Sequence, residues 1–250
     1  MLDYNFHITT PRLYISHLNP SNDAHCDFAH ELIEDIGHGK EKPVDAETTP
    51  EQREIGREFI RAGVEKLASS GYGRYLVSLR GDALSSSCVD QQSGEGREEE
   101  KEQNEDKAKD EDTTPVPFSQ KKHHQPVGVV TMQLARFPGA PSIPDPGFGL
   151  LKRHFGKGYA TEAARALVEY FERERGQMAF LGYCARENTA SQGVLARLGF
   201  EERGMWKVEG VAGEGQVLET LVYAKGVGGE PGCLEKYGLI KVKEGVDVAL

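Results

Sequence analysis

Paired cysteines, an excess of basic charge and long apolar runs are all missing from this sequence, and each absence removes a class of function. Lys and Arg number 30 against 40 Asp and Glu, for a formal charge of −10. No cationic surface for nucleic acid is on offer. The four cysteines, Cys26, Cys88, Cys184 and Cys233, stand far apart, and no C-x-x-C pair or His/Cys cluster has zinc spacing. Cys184 lies in an apolar stretch and reads as a small buried hydrophobe. His123 and His124 read as solvated side chains rather than metal ligands, so no metal is expected. No apolar run approaches the ~20 residues that span a bilayer. Met1-Leu2-Asp3-Tyr4 carries neither a basic segment nor an apolar one of signal-peptide type. The chain reads as intracellular and cytoplasmic, with no membrane or nucleic-acid partner. A G-x-S-x-G elbow is also absent, which leaves a serine-esterase reading without support.

What is present is enough for one core: 250 residues, 38% of them hydrophobic. The acidity is local. Residues 95–112 hold ten Asp or Glu and four Lys or Arg, so −6 of the −10 sits there. That segment belongs to a stretch, about 82–125, with almost no large apolar residues. Such a stretch cannot bury enough surface to offset its ordering entropy and reads as a disordered, solvated insertion. Around it the pattern is regular. Leu13, Ile15 and Leu18 mark a first strand. Phe28, Leu32 and Ile36 mark a helix over about 24–35, after a turn and cap at Asn19-Pro20-Ser21-Asn22-Asp23. Pro50 opens a second helix with Ile55, Phe59, Val64 and Leu67 on its apolar side. Residues 74–79, 126–134, 147–151 and 178–184 read as further strands. Asn188 caps a short helix that ends at Gly199, and residues 200–208 and 217–223 close the strand series.

The chain is organised around Arg153-His154-Phe155-Gly156-Lys157-Gly158-Tyr159-Ala160. A short strand precedes it. A helix follows, with Ala160, Ala163, Ala164, Leu167, Val168 and Phe171 on one face. Strand, glycine turn and helix in that order place the free N–H groups of a helix start around an anion. Gly156 and Gly158 let the backbone approach a ligand closely, and Arg153 and Lys157 add positive charge. A phosphate-bearing ligand is the expected guest. The spacing excludes two common cradles: Thr161 stands where a dinucleotide loop has its third glycine, and the Walker pattern is not formed. What remains is R-x-x-G-x-G-x-A.

This pattern resembles the pyrophosphate loop of the Gcn5-related N-acetyltransferase (GNAT) superfamily. Glu187-Asn188-Thr189-Ala190-Ser191-Gln192, closing on Leu198-Gly199-Phe200, resembles that superfamily's next motif. Thr9-Thr10-Pro11-Arg12-Leu13 resembles the opening strand of the branch that includes the ribosomal-protein-alanine N-acetyltransferases. The resemblance implies one α/β (α+β) domain over residues 1–225. Its sheet would be mixed, mostly antiparallel and six- to seven-stranded, flanked by helices and splayed between strand four (147–151) and strand five (178–184). Residues 226–250 lie beyond it and read as a tail or an extra edge strand. It also implies acetyl-CoA as co-substrate. Phe148, Gly149 and Leu150 would meet its pantetheine arm by backbone. Arg153, His154, Phe155, Gly156, Lys157, Gly158, Tyr159 and Ala160 would surround its diphosphate. Asn188 and Ser191 would face the arm from the next helix.

For catalysis, the resemblance implies transfer of an acetyl group to a primary amine by direct attack, the acceptor being a protein N-terminus or a small amine. Many members carry a tyrosine four residues before the second motif's final glycine, as proton donor to the leaving thiolate. Leu195 stands there in this chain. Ser191 matches a serine of the ribosomal-alanine branch and is the substitute candidate. Asp145 and Glu187 are the candidate general bases, acting directly or through water; both also read as exposed turn carboxylates. With the usual acid missing, a CoA-binding module that no longer catalyses is the alternative. Oligomeric state and acceptor identity are not written in these residues.

Overall fold

The computed structural model describes residues 2–39, 47–81, 117–120 and 124–242. Along the chain come β1 (His7–Thr9), β2 (Leu13–His17), α1 (Asp23–His38), α2 (Pro50–Ser70), β3 (Gly73–Leu79), β4 (Gln125–Gln133) and β5 (Asp145–Leu150). Then follow α3 (Tyr159–Arg175), β6 (Phe180–Cys184), α4 (Thr189–Arg197), β7 (Glu201–Glu209), β8 (Val217–Lys225) and β9 (Ile240–Lys241).

The strands form two sheets, in the orders β1-β2-β3-β4-β5 and β6-β8-β7-β9. Every ladder between the described strands is antiparallel. Two short strands, β1 and β9, add to the six or seven expected. The splay falls where the resemblance puts it, between β5 and β6. At its root the Leu181 N–H donates to the Pro144 carbonyl at 3.0 Å, and beyond that bond the two strands belong to different sheets. Past β8, Leu234 and Leu239 are buried with Trp206, and β9 pairs with β7.

Local chemistry sets the helix starts. The Asn22 side chain accepts the Ala24 N–H at 3.0 Å and begins α1. Thr49 and Gln52 exchange side-chain and backbone hydrogen bonds around Pro50 and begin α2. Helix α3 buries Ala163, Ala164, Leu167, Val168 and Phe171 against the first sheet. Each large side chain in that stripe contributes about 1.5–3 kcal/mol by leaving water. The alanines let the helix lie close, which fixes where its N-terminus points.

Four expectations need correction. The apolar side of α2 does not carry Ile55, which is 51% exposed; Gly56, Ile60 and Leu67 are buried instead. The cause is the approach of α1, so close that a Cβ on Gly56 would stand 2.0 Å from the Cys26 carbonyl oxygen. Ile36 is likewise 56% exposed rather than part of the α1 core stripe. The insertion expected at 82–125 lies mostly outside the described residues, but its C-terminal end is ordered. Phe118 stacks on His7 with ring centroids 4.1 Å apart, and the Ser119 hydroxyl donates to Asn5 Oδ1 at 2.8 Å. His124, expected to be solvated, packs edge-on to Tyr14 at 4.7 Å. Stacking on β1 and β2 holds this end where composition alone leaves it free.

Candidate active site

A cleft of about 1220 Å³ opens beside β5 and runs along α3 as far as Arg173. Its walls come from β5, the glycine loop, α3, α4 and the segment joining β1 to β2. Of the residues singled out from sequence, it takes in Phe148, Gly149, Leu150, His154, Phe155, Gly156, Gly158, Tyr159, Ala160, Asn188 and Ser191. Four others lie off its walls: Arg153, Lys157, Asp145 and Glu187.

The loop is built for an anion. Gly156 and Gly158 both have positive φ, +74° and +78°, the left-handed region in which a side chain is strained. A Cβ on Gly156 would meet nothing within 4 Å, so the loop faces open space. Gly158 sits at the N-cap position of α3 without a side-chain cap. The first N–H groups of the helix are therefore left for a ligand. His154 is 5% exposed, and among the described residues neither ring nitrogen has a hydrogen-bond partner. Burial pushes its pKa down, with the Lys157 and Arg153 charges adding to the effect. The His154 ring thus backs the cleft wall as a buried imidazole, with both nitrogens turned in from solvent. These features fit the diphosphate of a CoA thioester, which would lie against the loop and run toward β5.

The positive charge is arranged differently from the sequence expectation. Arg153 turns away and ion-pairs with Glu31 of α1. Lys157 presents its carbonyl rather than its ammonium to the neighbouring structure. The Arg12 Nη1 donates to that carbonyl at 2.9 Å. Arg12 also reaches Glu162 through Nε at 2.7 Å and through its backbone N–H at 2.9 Å, while the Thr10 hydroxyl donates to the same carboxylate at 2.6 Å. Burial raises the Glu162 pKa, but the Thr10 and Arg12 hydrogen bonds outweigh it and hold the carboxyl below its ordinary value. Farther along α3, Arg165 lines the cleft and donates to the Arg197 carbonyl at 2.7 Å. Sequence reasoning missed Arg12 and Glu162 as a pair because 150 residues separate them. The Arg165, Glu169 and Arg173 spacing of four along α3 was the available signal for its charged outer face.

On α4, Asn188 Oδ1 accepts the Ser191 N–H at 3.0 Å, so the cap that starts the helix also sets Ser191 on the cleft. Leu195 is 2% exposed and packs toward Gly182, which makes the position expected for tyrosine a core position here.

The two candidate carboxylates separate. Glu187 is exposed in the turn before α4. Asp145, expected in an exposed turn, is 5% exposed at the start of β5. Side chains two apart on a strand share a face, so Asp145 shares one with Gly149, against which Ile36 of α1 lies. Asp145 thus faces the α1–α2 side at the root of the splay. Arg136 touches its carboxylate, and the Arg136 Nη1 also donates to the Val211 carbonyl at 3.0 Å. Burial pushes the Asp145 pKa up to about 7, with Arg136 and then Lys66 pulling the other way. The Tyr183 hydroxyl is buried without a partner among the described residues, and burial with the Asp145 charge raises its pKa. Among the described residues no group of His, Cys, Asp and Glu could hold a metal ion, and no helix is long and apolar enough to cross a membrane.

Comparison with known proteins agrees with this geometry. The model of the acetyltransferase (GNAT) domain matches residues 90–201. A search of curated sequences gives no match. Among solved structures, an acetyltransferase of the GNAT family from Bacillus anthracis aligns with a TM-score of 0.51 at 20% identity, covering 88% of this chain and 97% of the other. The ribosomal-protein-S5-alanine acetyltransferase from Vibrio fischeri aligns at 0.53 and 14% identity, covering 88% and 96%. RimL, a ribosomal L7/L12 alpha-N-protein acetyltransferase in complex with coenzyme A, aligns at 0.52 and 16% identity, covering 88% and 97%. In sequence over residues 90–201 and in fold over most of its length, this chain resembles the Gcn5-related N-acetyltransferases, ribosomal-protein acetyltransferases among them.

Proposed function

We propose that this chain transfers an acetyl group from acetyl-CoA to a primary amine, and that the amine is a peptide N-terminus. The observation that carries the reading is the positive-φ glycine pair at the uncapped start of α3, opening into a cleft walled by β5, α3 and α4. The acetyltransferase domain match supports acyl transfer. The peptide acceptor draws on what the names of two structural neighbours say of those proteins.

Acetyl-CoA supplies the activated thioester. The glycine-loop amides bind its diphosphate, and the edge of β5 at Phe148, Gly149 and Leu150 aligns the pantetheine arm. The amine nitrogen attacks the carbonyl carbon, the new C–N bond forms, and the C–S bond breaks. Asp145 takes the proton that the amine loses, directly or through water; a pKa of about 7 suits a base at neutral pH. The sulfur leaves as thiolate, and Ser191 donates a hydrogen bond to it. Thiols ionise near 8.5, so this leaving group needs only modest help, which is consistent with a core leucine at position 195.

The test is calorimetry with acetyl-CoA, followed by release of free thiol with a panel of N-terminal peptides and small amines. Saturable binding with peptide-dependent thiol release is expected. Binding without turnover on any amine would leave a CoA-binding module instead. Binding of NAD or ATP in place of acetyl-CoA would overturn the reading.

A further inference from the structure

Resting on the acetyl-CoA reading, we propose that Arg12, and not Arg153 of the loop itself, supplies the guanidinium that meets the diphosphate, and that Arg12 also sets the loop's shape.

The loop's own arginine is committed elsewhere. Arg153 Nη1 and Nη2 both engage Glu31 of α1, and the residue lies off the cleft walls. Arg12 lines the cleft. Its Nη2 stands 3.4 Å from the point a Cβ on Gly158 would occupy, at the lip of the open nest. The guanidinium has five N–H donors. One on Nε and one on Nη2 serve Glu162, and one on Nη1 serves the Lys157 carbonyl. One on each Nη is left over, and Nη2 stands beside Gly158, where the anion is expected.

The bond to the Lys157 carbonyl has a second effect. A peptide group is planar and trans, so holding that carbonyl fixes the direction of the Gly158 N–H in the same plane. The guanidinium also lies 4.8 Å over the Tyr159 ring, which limits its own movement.

Charge makes the same case from the other side. Glu162 lies in the first turn of α3. Uncompensated there, a carboxylate would repel the anion that the helix start attracts. Arg12 and the Thr10 hydroxyl bind that charge and offset its repulsion at the helix start.

The test compares two thioesters in the wild type, Arg12→Ala, Arg12→Lys and Arg153→Ala. Acetyl-CoA carries the diphosphate; S-acetyl-pantetheine carries the same thioester and arm without it. Affinities come from calorimetry, with thermal melts to confirm folding. Arg12→Ala is expected to weaken acetyl-CoA by about 10- to 100-fold, as for lost charge-assisted hydrogen bonds, and to leave S-acetyl-pantetheine unchanged. Arg12→Lys keeps the charge without the fork and should fall between. Arg153→Ala should stay within about twofold, since it removes a side chain bound to Glu31 rather than to ligand. Equal loss for both thioesters would make Arg12 merely structural and overturn the proposal, as would full acetyl-CoA affinity in folded Arg12→Ala or Arg12→Lys. Should Arg12→Ala not fold, the lysine variant decides alone. A wild type that binds no acetyl-CoA would instead refute the parent reading.

Discussion

At the scale of single residues, backbone dihedrals matter more than charge. Gly158 has φ +78°; a β-branched residue there is strained by about 1–3 kcal/mol and brings a Cβ to the lip of the nest. Gly158→Val is expected to weaken acetyl-CoA by more than about 100-fold while circular dichroism shows a folded chain. Calorimetry with unchanged affinity would remove the loop from the ligand site. Asp145 is the residue whose environment gives a pH signature. A base works deprotonated, so kcat/KM should rise with pH through a midpoint near 7, the value to which burial pushes this carboxyl. Asp145→Asn should abolish that limb and most of the activity. The linkage to stability runs the opposite way. The folded pKa lies above the ordinary 3.8, so the folded state holds this proton more tightly. That contribution is present in full below pH 3.8 and is lost as pH rises through about 7, and Asp145→Asn should flatten it in melts taken across the range. Ser191→Ala removes one hydrogen bond to the leaving sulfur. A fall in kcat of about 3- to 100-fold with little change in acetyl-CoA affinity is expected; an unchanged kcat would make Ser191 a helix residue only. Of these positions, the glycines are legible from spacing and Asn188 as a helix cap, while Ser191 is singled out through the family resemblance. The burial of Asp145 is not, because it comes from Arg136 and the α1–α2 face, neither of which its neighbours in sequence announce.

At the scale of elements, periodicity reads faces well where side chains are large and poorly where they are absent. The stripe of α3 appears in the sequence because alanine, leucine, valine and phenylalanine recur at helical spacing. The contact face of α2 does not, because its closest point is Gly56, which carries no hydropathy signal. Ile55 beside it is apolar and yet faces solvent. Gly56→Ala should therefore be more damaging than Ile55→Gln. Its Cβ would stand 2.0 Å from the Cys26 carbonyl oxygen, so α1 and α2 must separate, at about 1–3 kcal/mol or more. Urea titrations should show a lower midpoint for Gly56→Ala and one near wild type for Ile55→Gln. A tolerated alanine would mean that the two helices slide apart without strain. The end of the insertion follows the same logic. Phe118 and His124 sit in a polar stretch, and the rings of His7 and Tyr14, more than a hundred residues earlier, help make them part of the fold.

At the scale of the whole molecule, the order of elements was readable and their division into two sheets was not. Periodicity yields strands one after another; that β5 and β6 part came from the resemblance of the glycine loop to a known family. Hydropathy carries no mark of where two strands stop pairing, since both remain apolar and buried. The parting has a consequence for how the protein keeps its own company. A strand edge with free N–H and C=O groups invites pairing with another chain. Here β5 and β6 turn such edges toward each other across a wedge closed at its root by the Leu181–Pro144 bond. Each edge therefore stands partly in the other's shadow, and an approaching chain meets a closing wedge instead of an open ladder.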